Sequence, residues 1–160
     1  MRKICTYLIL ILACSQAAPV LAEELSLSKG QLLYLPIYSS ILYGDSLKSG
    51  PLKFNLSALV SIRNTSLKTP IKIMYARYYD THGKLLKDFV SSAQTIAPMA
   101  TLELFIEKSE AEGGSGANFL IEWSAESATN APIVEAVHIG NQSNRPYSFV
   151  TRAQAVHKDK

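Results

Sequence analysis

Apolar and polar residues alternate with a period of two along much of the chain. The clearest segment is 52–63, where every even position is apolar and every odd position is polar, except for Leu59. A period of two places alternate side chains on opposite faces of a strand, so this segment is predicted to be one long strand with one buried face. Strand patterns also occur at 31–43, 71–79, 85–90, 101–107, 119–123, 133–139 and 147–152.

Turn signals separate these segments, as in 80–84, where Gly83 is free to adopt a positive φ in a hairpin. About eight strands without an amphipathic helix predict an all-β fold: an antiparallel β-sandwich with an immunoglobulin-like or fibronectin-like layout, with a barrel as the second choice. Pro36 indicates an edge strand or a bulge. We expect the sandwich domain at 31–153, after a linker at 23–30 and before a disordered tail at 154–160.

The first 22 residues are predicted to be a signal peptide. Arg2 and Lys3 precede an apolar run at 4–13, which is too short for a permanent anchor of about 20 apolar residues. The small residue Ala22 favours cleavage before Glu23. The segment Ile-Leu-Ala-Cys at 11–14 supports an alternative, lipidation of Cys14, as in bacterial lipoproteins. Either outcome predicts an exported protein of the periplasm or cell envelope, attached to the membrane only through such a lipid.

Loss of the leader changes the chemistry that remains. Removal of 22 from 160 residues leaves 138, which suits one domain with a hydrophobic core. Both cysteines, Cys5 and Cys14, lie in the leader, so disulfides, cysteine zinc sites and a cysteine nucleophile are not expected. Without Arg2 and Lys3, 14 basic residues face 13 acidic ones, a formal charge of +1. No basic block remains, so nucleic acid is not an expected partner.

Several distinctive stretches resemble one family of bacterial proteins, and they occur in the same order. They are Ser-Ile-Arg-Asn-Thr at 61–65, Tyr-Tyr-Asp-Thr-His-Gly-Lys at 78–84, Gly-Gly-Ser-Gly-Ala-Asn-Phe-Leu-Ile-Glu-Trp at 113–123, Pro-Ile-Val-Glu-Ala-Val-His-Ile-Gly at 132–140 and Ser-Phe-Val at 148–150. The family is grouped as domain of unknown function 3124. The resemblance covers about 29–152 and implies a small exported or lipid-anchored bacterial domain, without a known activity.

The most unusual stretch is the acidic, glycine-rich segment 110–118. Its residues Gly113, Gly114, Ser115, Gly116 and Asn118 are candidates for ligand or partner binding, because glycines allow the backbone to approach a ligand closely. The segment lacks the Gly-Lys-Ser/Thr of a P-loop and the acidic spacing of an EF-hand. A bulged connection between strands, without any binding role, explains the same residues.

Glu135 is the other candidate for ligand or partner binding. If Ile133, Val137 and Ile139 face the core, Glu135 is buried with them and needs a partner such as Arg63 or Arg77. If Val134 and Ala136 face the core instead, Glu135 is solvated; both alternatives remain open from the sequence. The three histidines, at 82, 138 and 157, are too scattered to predict a metal site, and no cofactor is expected.

These observations favour a non-enzymatic binding or structural module of the bacterial cell envelope, with an envelope protein or polysaccharide as its partner. One alternative is a hydrolase that uses two carboxylates among Glu107, Glu112, Glu122 and Glu135. Another is a module stabilised by Ca²⁺ at the acidic glycine-rich segment. The sequence contains no catalytic motif that identifies an enzyme.

Overall fold

The computed structural model describes residues 26–47, 50–142 and 144–157, and this part of the chain contains twelve β-strands and no helix. The strands are β1 (Ser28–Ile37), β2 (Ser40–Leu47), β3 (Gly50–Asn55), β4 (Ser57–Arg63), β5 (Ile71–Tyr79), β6 (Leu85–Asp88), β7 (Gln94–Ile96), β8 (Thr101–Ile106), β9 (Ala117–Thr129), β10 (Ile133–Gln142), β11 (Arg145–Arg152) and β12 (Gln154–Val156). The predicted all-β class is confirmed, with twelve strands rather than about eight. In this described part, no helix is long and apolar enough to span a membrane.

All strand pairs are antiparallel. One sheet has the order β12-β1-β9-β5-β6, and the short strand β7 also pairs with β5. A four-stranded sheet has the order β11-β10-β4-β8, and β2 and β3 form a separate hairpin. Buried side chains from both larger sheets belong to one hydrophobic cluster, so the sheets form the two layers of a sandwich.

The central strands of each sheet contribute alternate residues to the core. In the larger sheet, Trp123 is 1% exposed and shares its buried face of β9 with Phe119 and Ile121, as the alternation predicted. In the four-stranded sheet the core-facing buried positions are Ala58, Val60 and Ile62 of β4, Leu104 and Ile106 of β8, and Val134, Ala136 and His138 of β10, while Ser61 of β4 is buried on the opposite face. The opposite, outward-pointing face of this sheet therefore consists of the residues between them.

The segment 52–63 is not one strand, and this part of the prediction is wrong. The chain leaves the β2–β3 hairpin after Asn55 and enters the four-stranded sheet at Ser57. Leu56, between them, is fully buried and its N–H donates to the carbonyl oxygen of Ser39. The alternation continues through the change of sheet, because buried residues remain at even positions on both sides of Leu56. A period-two pattern therefore does not reveal the break.

Strands also extend beyond their predicted limits. β9 continues to Thr129, beyond the predicted strand at 119–123, and pairs there with Ser28 at the start of β1. β1 thus begins inside the predicted linker 23–30, and β12 lies inside the predicted tail 154–160. Pro36 lies beyond the residues of β1 that pair with β12, so β1 has strand pairing only with β9 there, a position that proline tolerates. The predicted signal peptide and Cys14 lie outside the described residues.

Candidate functional site

The glycine-rich segment is held tightly against two other connections. The Gly114 carbonyl oxygen accepts hydrogen bonds from the Ser39 N–H at 3.0 Å and the Ser39 hydroxyl at 3.1 Å. The Gly113 carbonyl oxygen accepts from the Thr81 N–H at 3.0 Å and the Thr81 hydroxyl at 2.8 Å. The same hydroxyl oxygen accepts from the Gly116 N–H at 3.0 Å. The segment therefore fastens the β1–β2 connection to the turn after β5.

Close packing explains why glycine occupies these positions. A Cβ atom on Gly113 would lie 1.9 Å from the Tyr78 hydroxyl oxygen and 2.8 Å from the Ser39 hydroxyl oxygen. Gly114 has a φ of 75°, which other residues adopt at a cost. Ser115 is exposed, and Asn118 is paired within β9. Four surface pockets of the described residues do not include 113–118, and binding by this segment stays a prediction.

The turn at 80–84 has a local structural explanation. Gly83 has a φ of 80°, and the Asp80 carboxylate accepts hydrogen bonds from the N–H groups of Lys84 and His82, both at 2.8 Å. These bonds hold the pKa of Asp80 below its usual value, and the bond from the Lys84 N–H has the largest effect. The polar residues of this turn therefore stabilise the hairpin itself.

Glu135 lies on the outer face of the four-stranded sheet, because Val134 and Ala136 face the core. Its two carboxylate oxygens accept from Arg63 Nη1 at 3.1 Å and from Arg152 Nε at 2.9 Å. Arg77, the other partner considered from the sequence, pairs instead with Asp88 at 3.3 Å. Glu135 is thus a partly buried carboxylate held between two arginines at the surface, and a binding role for it stays a prediction.

The four carboxylates considered for hydrolysis do not converge on one of these pockets. Glu122 lines a groove of about 570 Å³ beside Gln31 and His157, whereas Glu135 lines a shallow groove of about 370 Å³ beside Arg152. Glu107 and Glu112 line none of the four pockets. Within the described residues, no group of three or more His, Cys, Asp or Glu side chains is placed to hold a metal ion.

His138 is a fully buried histidine on the core face of β10, opposite to the face of Glu135. Its Nε2 accepts a hydrogen bond from the Tyr38 N–H at 3.0 Å, so the ring carries its proton on Nδ1. The ring stacks on Phe149, with centroids 4.6 Å apart and planes at 6°. Burial lowers the pKa of His138 to about 4, so the imidazole is neutral near pH 7. This packing assigns His138 a structural role.

Strand register brings together a surface feature that the sequence analysis did not identify. Val150, Val137, Leu59 and Phe105 are directly paired across β11, β10, β4 and β8, and all four point outward. We call these four residues the apolar row. Phe105 and Val150, at its ends, are 55% and 52% exposed. Ile139, the next outward-pointing residue of β10 after Val137, widens the row and is 49% exposed.

Charged residues border the apolar row on its other side. The next outward-facing positions, from β11 to β8, are Arg152, Glu135, Ser61 and Glu103, which we call the charged row. Among the salt bridges of the described residues, none includes Glu103. The outer face of the four-stranded sheet therefore combines a continuous apolar strip with an adjacent border of both charge signs. The sequence signal for it was one apolar residue at an outward position in each strand, as at Leu59.

Comparison with known proteins supports the family but adds no activity. No curated protein matches the chain. The crystal structure of Thermotoga maritima 1070 is similar over 78% of this chain and 92% of its own, with 11% sequence identity and a TM-score of 0.43. The model of the family described as protein of unknown function (DUF3124) matches residues 30–156, and the chain therefore belongs to the DUF3124 family.

Proposed function

We propose that this protein is an exported, non-enzymatic binding module of the bacterial cell envelope, and that it holds a protein partner on the outer face of the four-stranded sheet. The apolar row is the observation that carries the proposal. Its four side chains cross the full width of the sheet, about 14 Å for three strand spacings. Phe105 and Val150, at the ends, are about half exposed, and Leu59 and Val137, at the centre, are partly exposed.

The apolar row indicates a binding surface because it differs in polarity from the outer face of an ordinary sandwich. In an antiparallel sandwich, outward positions are normally polar because water contacts them. Single exposed apolar residues are common and need no explanation, but a contiguous set indicates a surface that another molecule covers. Here the register, rather than chance proximity, joins the four residues into one strip.

The composition of this face favours a protein partner over a polysaccharide. An apolar centre with a charged rim is the usual arrangement at protein–protein interfaces, where the rim supplies specificity. Arg152, Glu135 and Glu103 supply that rim. The envelope location rests on Arg2, Lys3 and the apolar run at 4–13, which have the features of a signal peptide.

Photo-crosslinking in cells tests the binding surface. A photoreactive amino acid replaces Phe105 in one strain and Leu85 in a control strain. Leu85 is a suitable control because it is 47% exposed but lies on β6 of the other sheet. We expect a crosslinked product from position 105 and none from position 85. No product from position 105, or equal products from both, contradicts the proposed surface.

Cell fractionation tests the location separately. We expect the protein in the periplasmic or membrane fractions. When Arg2 and Lys3 are replaced together with the apolar run, we expect the protein to be retained in the cytoplasm. Recovery of the unaltered protein only with cytoplasmic markers contradicts an envelope role. The crosslinking result still applies in that case, because it reports the surface and not the compartment.

A further inference from the structure

We infer that the partner is a second copy of this chain, packed face to face on the outer face of the four-stranded sheet about a two-fold axis. The inference rests on the proposed binding surface and names its occupant. It is carried by the order of residues in two neighbouring rows, which is complementary to itself.

The apolar row maps onto itself under one simple operation. A two-fold axis that is parallel to the strands and passes between β10 and β4 exchanges β11 with β8 and β10 with β4. It places Val150 against Phe105 of the second copy, and Val137 against Leu59 of the second copy. Every residue of the row then contacts an apolar residue. Facing sheets pack in this way with their strands within about 30° of each other.

The same axis makes the charged row complementary. Arg152 faces Glu103 of the second copy, and the symmetry generates this ion pair twice. Glu103 has no salt-bridge partner among the described residues of its own chain, and the side chain of Arg152 is 80% exposed. Glu135 faces Ser61 of the second copy and keeps its two arginines. Two exposed, opposite charges at the two edges of one sheet are therefore paired by dimerisation.

The other simple axis is unfavourable. A two-fold axis perpendicular to the strands and centred on the apolar row places the charged row against Ser148, Ile139 and Ser57, the next residues on the other side. Glu135 then faces the apolar side chain of Ile139 and Arg152 has no carboxylate opposite it. Charge complementarity thus selects the axis parallel to the strands.

The size of the face indicates a reversible dimer. Four strands about 4.8 Å apart and six residues long present roughly 400 Å² of flat area per copy. The two copies together bury about 800 Å², which is less than the roughly 1,200–2,000 Å² buried in stable interfaces. We therefore expect a dissociation constant in the micromolar range.

Sedimentation equilibrium between about 1 and 200 µM, a range centred on micromolar affinity, tests the dimer. We expect a concentration-dependent dimer, with a dissociation constant raised at least about tenfold by Phe105→Ser, because an aromatic side chain at an interface commonly dominates its energy. Leu85→Ser is the matched control and leaves the constant unchanged. A monomer throughout the range, or equal dimerisation of Phe105→Ser and the unaltered protein, overturns the inference.

Charge exchange tests the axis itself. Glu103→Lys alone places Lys against Arg152, and Arg152→Glu alone places Glu against Glu103, so each variant dimerises less than the unaltered protein. Mixed in equal amounts, the two variants pair opposite charges at both sites, and we expect the mixture to restore dimerisation. A mixture that dimerises no better than either variant alone overturns this arrangement.

The crosslinked product from position 105 separates the two proposals. A product of twice the chain mass that contains only peptides of this chain supports both. A product with a different protein preserves the proposed function and overturns the self-association. The absence of any product contradicts the binding surface, and the self-association fails with it.

Discussion

Acid destabilisation through His138 is the sharpest consequence of the described core. The imidazole is fully buried, stacks on Phe149 and accepts a hydrogen bond from the Tyr38 N–H. Burial disfavours the charged form of the imidazole and lowers the pKa of His138 from 6.5 to about 4. Protonation of Nε2 also removes the acceptor of the Tyr38 N–H.

The magnitude follows from linkage between protonation and folding. Below pH 6.5 the unfolded chain binds a proton at this residue, whereas the folded chain does not until the pH approaches 4. The stabilisation is thus complete above about pH 6.5 and is lost as the pH falls towards 4. A fall in pKa from 6.5 to about 4, at about 1.4 kcal/mol for each tenfold change in proton affinity, amounts to about 3 kcal/mol of unfolding free energy.

Urea denaturation followed by circular dichroism, at intervals from pH 7.5 to pH 4, measures this loss. His138→Gln keeps an acceptor for the Tyr38 N–H but does not titrate. We expect it to be less stable than the unaltered protein at pH 7.5, and expect that deficit to shrink by about 3 kcal/mol at pH 4. Asp80, whose pKa is also lowered on folding, does not obscure the result, because it is present in both proteins and its contribution cancels in their difference.

His82→Gln is the matched control, since His82 is exposed in the turn after β5. It measures the effect of the same substitution outside the core. A pH-independent difference between His138→Gln and the unaltered protein would refute the reasoning, because it would show that His138 has the same proton affinity in the folded and unfolded chains.

Three further predictions concern other parts of the molecule. Gly113→Ala forces a Cβ atom against the Tyr78 hydroxyl and should lower the unfolding free energy by about 1–3 kcal/mol. Gly83→Ala adds a Cβ atom in open space at a positive φ and should cost less. Thermal melts compare the two variants, and equal losses of stability contradict a packing role for Gly113. Buried Asn64 donates to three carbonyl oxygens and accepts one N–H, so Asn64→Ala should cost about 2–4 kcal/mol in urea denaturation, and a loss below about 1 kcal/mol would contradict that network. Intact mass spectrometry of the protein from its own host should show an unmodified chain starting at residue 23, whereas a diacylglyceryl mass on Cys14 would establish the lipid-anchored alternative.

The family, the all-β class and much of the core were predictable from sequence. Alternation is a local property, and it identified the buried face of 119–123 and the whole of β5 with its correct limits. The change of sheet at Leu56 was not predictable, because a buried residue at an even position fits either sheet. Small polar residues concealed the end of β9 for a related reason: their strand pairing with β1 depends on a distant segment rather than on their own pattern.

The candidate site was likewise predictable only in part from the sequence. The sequence by itself determined that Leu59 is apolar at an outward position and that Gly113 and its neighbours are unusual. Only the tertiary structure decided that these glycines fit against Tyr78 and Ser39, and that Val134 and Ala136 rather than Glu135 face the core. It also decided that Leu59 continues a row across four strands. Strand register is fixed by hydrogen bonds and packing between segments far apart in the chain, so an apolar residue on each strand becomes one surface only when the sheet forms.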